Sequence, residues 1–370
     1  MGLGEKNWSE GVVKLMVWLR PRGLKPEGLS GMVDFATVEE IPGRVGQIGA
    51  SDSSIWRRVQ ERGERFQALE AREGVRAMAL SGQWGRPLRE LAPKGRIGVA
   101  MDGGMVHIRG ECWKELKVGC VFDVLVPPML DEETGDVVEL GHAVNNSYVA
   151  HPSGLSPSRR SLGGPEVFGG KLWAGAQQGW ERAVESEVIR DGSPWIWNLA
   201  AEHFYDSHQV VDWYHAAEHL ATASHLLHGE GTPAAKRWFK AHKLPLFQGH
   251  ALQIAQELTA AAQRHPAIAE ELEREAGYLR SNYRRMNYLE MREEGWPIGS
   301  GMVESGIKQF KARFTGPGMR WSRSSAEGLL PIRTTIMTAV LILPGREPAT
   351  HPRIEMHPKA IRALDKREKL

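Results

Sequence analysis

A chain of 370 residues has room for two or three domains of ordinary size. Its 41% hydrophobic and 25% charged residues describe a globular protein, and a formal charge of +2 excludes any argument for nucleic-acid binding from net charge alone. Two cysteines, Cys112 and Cys120, are too few for a disulfide framework or a cysteine-based zinc site. No apolar run approaches the ~20 residues of a membrane span, and the N-terminus lacks the basic start and long apolar centre of a signal peptide. A soluble, cytoplasmic protein is expected.

Residues 1–94 read as a helical N-terminal region. In "SDSSIWRRVQERGERFQALEAREG", Ser51 to Ser54 offer N-caps, and Ile55, Val59 and Phe66 recur at helical spacing. Upstream, "ATVEEIPGRVGQIG" has the position of the first helix of a helix-turn-helix, although Pro42-Gly43 interrupts it. Arg57, Arg58, Arg62 and Arg65 are either a phosphate footprint or a solvated helix face.

Near residue 95 the period changes. Ile97 to Met101, Met105 to Ile108 and Lys117 to Val126 are short β-like runs separated by glycine-rich or polar breaks, as in an antiparallel meander. Residues 128–165 read as loop-rich. "LWAGAQQGWERAVE" is helical, and two strand–helix units follow in "SEVIRDGSPWIWNLA" and "HQVVDWYHAAEHLATASHLL". Residues 216–291 are almost wholly helical, and a basic, proline-rich tail occupies 336–370. This order predicts an α/β fold: a ribonuclease-H-like mixed sheet over 95–335, carrying an all-helical insertion at about 216–291.

Three acids stand out within that frame. Asp102 and Asp191 each follow an apolar β run and precede glycine, which allows either a simple turn or a carboxylate on a sheet rim that a phosphate can approach. Glu304 lies in "GWPIGSGMVESGIKQFKARF", where Val303, Ile307, Phe310 and Phe314 form the buried stripe of a helix. Three carboxylates from two strands and a helix are a donor set for Mg²⁺ or Mn²⁺, and two such ions serve phosphoryl transfer. A Glu304–Lys308 helix-surface pair is the plainer alternative. The glycines of "GSGMVE" do not fit a dinucleotide or P-loop pattern.

From Gly306 to Arg333 there are six basic residues, Lys308, Lys311, Arg313, Arg320, Arg323 and Arg333, against one acid, Glu327. Trp321 beside them either stacks on a base or packs internally. "HAAEH" carries His215 and His219 one helical turn apart around Glu218, the order of an inverted zinc-protease motif. Histidines that only donate hydrogen bonds at a sheet edge explain it more simply.

Five blocks, "AMDGGMVHIRGECWKELKVGC", "RDGSPWIWNLAAEHF", "QVVDWYHAAEHL", "WPIGSGMVESGIKQFKARF" and "GPGMRWSRSSAEGLLPIR", together resemble the ISKra-type bacterial insertion-sequence transposases. These are DDE enzymes related to the Mutator-like group. The resemblance runs from about residue 95 to 335 and implies a ribonuclease-H-like catalytic domain whose acids bind two divalent ions. It further implies cleavage of transposon ends, strand transfer into target DNA, and a homo-oligomer in the DNA complex at the nucleoid. By motif, the first and last catalytic acids are Asp102 and Glu304. The second is Asp191 or Asp212, with Asp191 preferred and Asp212 and His215 then auxiliary. Arg190 stands where the pattern usually has a small residue. Lys308, Lys311, Arg313, Arg320, Trp321 and Arg323, with Arg57 and Arg58, are the expected DNA contacts. An inactive or repurposed DNA-binding relative is the alternative.

Overall fold

The computed structural model describes residues 51–81, 95–130, 137–152, 164–316 and 319–338. The first helix of the helix-turn-helix candidate, residues 36–49, and the tail beyond Thr338 lie outside them.

Helix α1 (Asp52–Ser81) starts where the serines predict, with Ser51 Oγ accepting the Ser54 amide at 3.3 Å. Ile55 and Val59 are fully buried. Strands β1 (Arg96–Ile108) and β2 (Cys112–Leu125) form a long antiparallel hairpin. A small ribbon of β3 (Pro128–Leu130) and β4 (Val137–Glu139) precedes β5 (His142–Pro152), which pairs antiparallel with β2. Helix α2 (Gly164–Trp180) leads to β6 (Ser186–Arg190), then α3 (Pro194–His203) and β7 (His208–Val211). Strand β6 runs parallel to both β1 and β7. The result is a mixed five-stranded sheet ordered β5-β2-β1-β6-β7.

Two expectations need correction here. The first two β-like runs are one continuous strand, because Asp102-Gly103-Gly104 stays paired with Val118-Lys117-Leu116. The third strand of the meander is β5, in the segment read as loop-rich. Its pattern is disguised by Asn145, which takes a left-handed φ of 54° beside a register shift in the β2 ladder.

After β7 come α4 (Trp213–His228), α5 (Pro233–Phe247), α6 (Ala251–Arg264), α7 (Ala269–Asn282) and α8 (Tyr288–Glu293). Helices α9 (Gly301–Phe314) and α10 (Arg323–Met337) close the described chain, so the helix extends past residue 336, where the tail was expected to begin.

Alternation along β1 and β2 assigns the helices to faces. On one face, Phe168 and Leu172 of α2 lie against Gly119, the partner of Met101. On the other, Ile307 and Lys311 of α9 lie against Gly104, the partner of Leu116. Asp102 shares the Gly104 face. At the far side of the core, α1 and α10 cross at Gly63 and Gly328, where a side chain on Gly63 would overlap the opposite backbone.

Candidate active site

Parallel pairing sets Ala100 against Ile189; two residues on, Asp102 continues β1 while Asp191 stands just past the end of β6, at the start of a turn. These two carboxylates therefore project toward one region where neighbouring strands run about 4.8 Å apart. Asp102 is half-buried, and one of its oxygens accepts the Gly103 amide at 2.6 Å. Burial pushes its carboxyl above the ordinary value, opposed by that amide and by the Arg190 charge. Asp191 adds to the rise and His215 opposes it, which places all four groups in one electrostatic neighbourhood.

Asp191 has a different environment. The Arg190 guanidinium lies against both of its oxygens: Nη2 donates to Oδ2 at 3.0 Å, and Nε stands 2.8 Å from Oδ1 as an ion pair without a hydrogen bond. The Ser193 amide donates to Oδ1 at 3.0 Å, and the Tyr278 hydroxyl donates to the Asp191 carbonyl at 2.8 Å. Burial alone would raise this carboxyl, but Arg190 and Ser193 together hold it below the usual carboxylate range. Arg190 itself sits over the Trp195 ring at 4.7 Å, and Lys117 Nζ lies 3.6 Å from the same ring. Lys117 pairs in turn with Glu115 at 2.8 Å.

Asp212 is fully buried and caps two helices at once. One oxygen accepts the His215 amide at 2.9 Å in the first turn of α4, and the other accepts the Ser300 amide, the N-cap of α9. The glycine-rich entry to α9 is thereby tied down: Ile298 O accepts the Trp213 amide at 2.9 Å, and Gly295 supplies a φ of 78°. Val303, Ile307, Phe310 and Phe314 are buried, as their spacing predicts. Glu304 remains part-exposed on the flank, 3.8 Å from Lys308.

The basic segment divides in two. Lys308, Lys311 and Arg320 are exposed, as is Arg57 on α1. Arg58 is half-buried and pairs with Glu61 at 2.8 Å. Trp321 and Arg313, expected on the DNA-facing surface, are buried instead. Trp321 packs against Phe314 and Trp56, donates to the Phe314 carbonyl at 3.1 Å and bridges to Ile108, so its ring belongs to the core. Arg313 lies over Trp321 at 5.5 Å, and burial together with nearby Arg333 lowers its pKa to about 10. Arg323 is committed to Glu111 through both ends of its guanidinium.

The HAAEH histidines are engaged elsewhere. His219 Nδ1 lies 2.5 Å from Glu275 and its ring stacks on Tyr278, while His215 Nδ1 is 3.5 Å from Glu218. Among the described residues, no group of three or more His, Cys, Asp or Glu side chains is gathered as a metal cage. Asp102 and Asp191 nevertheless have the hard oxygens and the shared face that suit a divalent ion. The donor set fits such an ion, with Arg190 now standing on one half of it.

Tyr278 and Ser300 are site residues that sequence reasoning passed over. Tyr278 comes from a helix 87 positions downstream of Asp191, with no local signal. Ser300 was legible only as a helix cap. No helix among the described residues is long and apolar enough to cross a membrane. Comparison with protein-family models and with curated proteins gave no match.

Proposed function

We propose that the chain is a DDE transposase that cleaves DNA at transposon ends and transfers the freed 3′ end into target DNA. The observation that carries this reading is the placement of Asp102 on β1 and of Asp191 just past the end of the adjacent parallel β6, with the helix bearing Glu304 packed on the Asp102 face. The sheet order supports it: three antiparallel strands followed by two parallel ones are what a ribonuclease-H-like domain requires. The helices from Trp213 to Glu293 are then its insertion.

In this reading Asp102, Asp191 and Glu304 hold Mg²⁺ or Mn²⁺, two ions in the loaded site. Bound ions supply Lewis-acid stabilisation and a reactive oxygen nucleophile near neutral pH. The chain's own groups orient the acids. Ser193 and Tyr278 fix Asp191 from both sides, and Asp212 fixes the start of α9 and so the height at which Glu304 enters. Because both Asp212 oxygens are bonded to amides in a fully buried position, Asp191 is the better second acid. Lys308, beside Glu304, and Lys311, against Gly104, offer phosphate contacts near the acids, and Arg320 lies further off, next to Trp321 at the Ile108 end of β1.

A second reading, a repurposed DNA-binding relative, is favoured by the Arg190 fork on Asp191. A Mg²⁺-dependent strand-transfer assay on transposon-end DNA separates the two. Wild type should join ends, Asp102→Ala, Asp191→Ala and Glu304→Ala should not, and Asp212→Ala should be impaired through α9. Full activity in Asp191→Ala alongside a dead Asp212→Ala would reverse the assignment of the second acid. DNA binding without joining by wild type would favour the repurposed protein.

A further inference from the structure

We propose that Arg190 is a tethered counter-cation that guards the Asp102–Asp191 pair, so that a divalent ion binds fully only when the guanidinium leaves Asp191. This inference rests on reading the two acids as a metal site, and it concerns how that site is controlled.

Four observations support it. The Arg190 side chain is only 3% exposed, whereas that of Asp191 is 26% exposed, so the cation sits inside the acid it neutralises. Its fork covers both Asp191 oxygens, leaving neither free of a positive charge. Its buried Nε and Nη1 have no hydrogen-bond partner among the described residues, which leaves two charged donors unsatisfied. Its resting place is built: Trp195 supports the guanidinium, and Lys117 on the same ring meets Glu115 rather than Asp191.

A purely structural ion pair would satisfy more of the guanidinium's five donors once buried this deeply. A guanidinium short of partners is suited to transfer its fork to a phosphate, which matches its geometry as well as a carboxylate does. Arrival of a DNA phosphate would then free Asp191 at the moment an ion is needed.

Mn²⁺ binding to the full chain, followed by the paramagnetic resonance of free Mn²⁺, tests this without reference to activity. Arg190→Ser should bind Mn²⁺ about tenfold or more tightly than wild type, because a like charge a few ångströms away is removed. Adding Asp102→Asn to Arg190→Ser should abolish the gain. Arg190→Gln, which keeps the bulk over Trp195 without the charge, should reproduce the gain if the serine variant unfolds. Equal and measurable affinity in wild type and both Arg190 variants overturns the guard but leaves the metal site standing. Absence of Mn²⁺ binding in all of them overturns both.

Discussion

Asp102-Gly103 and Asp191-Gly192 are the same dipeptide after the same kind of apolar run, yet the chain continues straight through one and turns at the other. At Asp102 the ladder with β2 persists to Ile108, and Gly104 serves to let Ile307 and Lys311 of α9 approach the sheet. At Asp191 the strand stops, because Gly192 takes a φ of 93° that an L side chain rarely adopts. One glycine is chosen for missing volume and the other for backbone freedom. The acids differ in consequence: Asp102 lies on a continuous strand with its carboxyl raised, and Asp191 sits in a turn with its carboxyl lowered.

Asp212 extends the comparison to a third acid after a strand, and here the largest effect is expected. Asp212→Ala removes the acceptor of two helix-start amides in a fully buried place and should cost about 3 kcal/mol, read as a shift of the urea midpoint. Next comes Gly192→Ala, at about 2 kcal/mol, since the positive φ is strained and the new methyl would stand 2.9 Å from the Tyr278 ring. A midpoint unmoved by Gly192→Ala would erase the distinction between the two Asp-Gly sites.

Much of the fold was legible because its strands and helices carry strong local patterns. The β6–α3 and β7–α4 units, the N-cap of α1 and the stripe of α9 all follow from spacing. Strand β5 was hidden because a polar Asn145-Asn146 bulge interrupts its alternation, and β1 looked broken because glycine reads as punctuation. In the candidate site, the strand-end pattern holds for Asp191, at the end of β6, but not for Asp102, which lies inside the continuous β1. Their surroundings were not visible, since Tyr278 and Ser300 reach the acids through long-range topology. Two residues were over-assigned to the surface: Arg313 and Trp321 have a DNA-binding composition, and only the packing of Trp321 on Phe314 and Trp56, with Arg313 over its ring, reveals them as buried.

The opposite shifts of the two carboxyls give a pair of opposite signs. Asp191 is lowered, so its ionised form contributes stability above the unfolded value of about 3.9, and that contribution is lost as pH falls through the folded value. Asp191→Asn should therefore destabilise near neutral pH by about 1–2 kcal/mol, leaving Arg190 short of its partner. Asp102 is raised, so its charge costs stability near neutral pH, and the cost fades as pH falls through the folded value. Asp102→Asn should stabilise by about 0.5–1 kcal/mol near neutral pH and by progressively less toward pH ~4. Urea midpoints across that range check both, and shifts of the same sign would break the contrast.

The smallest change in stability, and the sharpest on mechanism, belongs to Gly104→Ala. A methyl there would meet Lys311 Cε at 3.3 Å and Ile307 Cγ2 at 3.4 Å, contacts that the lysine relieves by moving and the buried isoleucine relieves only by shifting α9. Alanine also narrows the unfolded ensemble relative to glycine, which offsets the crowding. The urea midpoint should therefore stay within about 0.5 kcal/mol of wild type. Glu304 lies one turn before Ile307 on the same rigid helix, so a displacement of a few tenths of an ångström is carried to Glu304, the third acid of the proposed site. Under the proposed function strand transfer should fall by about tenfold, because misplacing a catalytic group is penalised far more heavily than the fold is. Loss of stability without loss of joining would mean that the close approach at Gly104 serves packing alone, and that Glu304 does not depend on it.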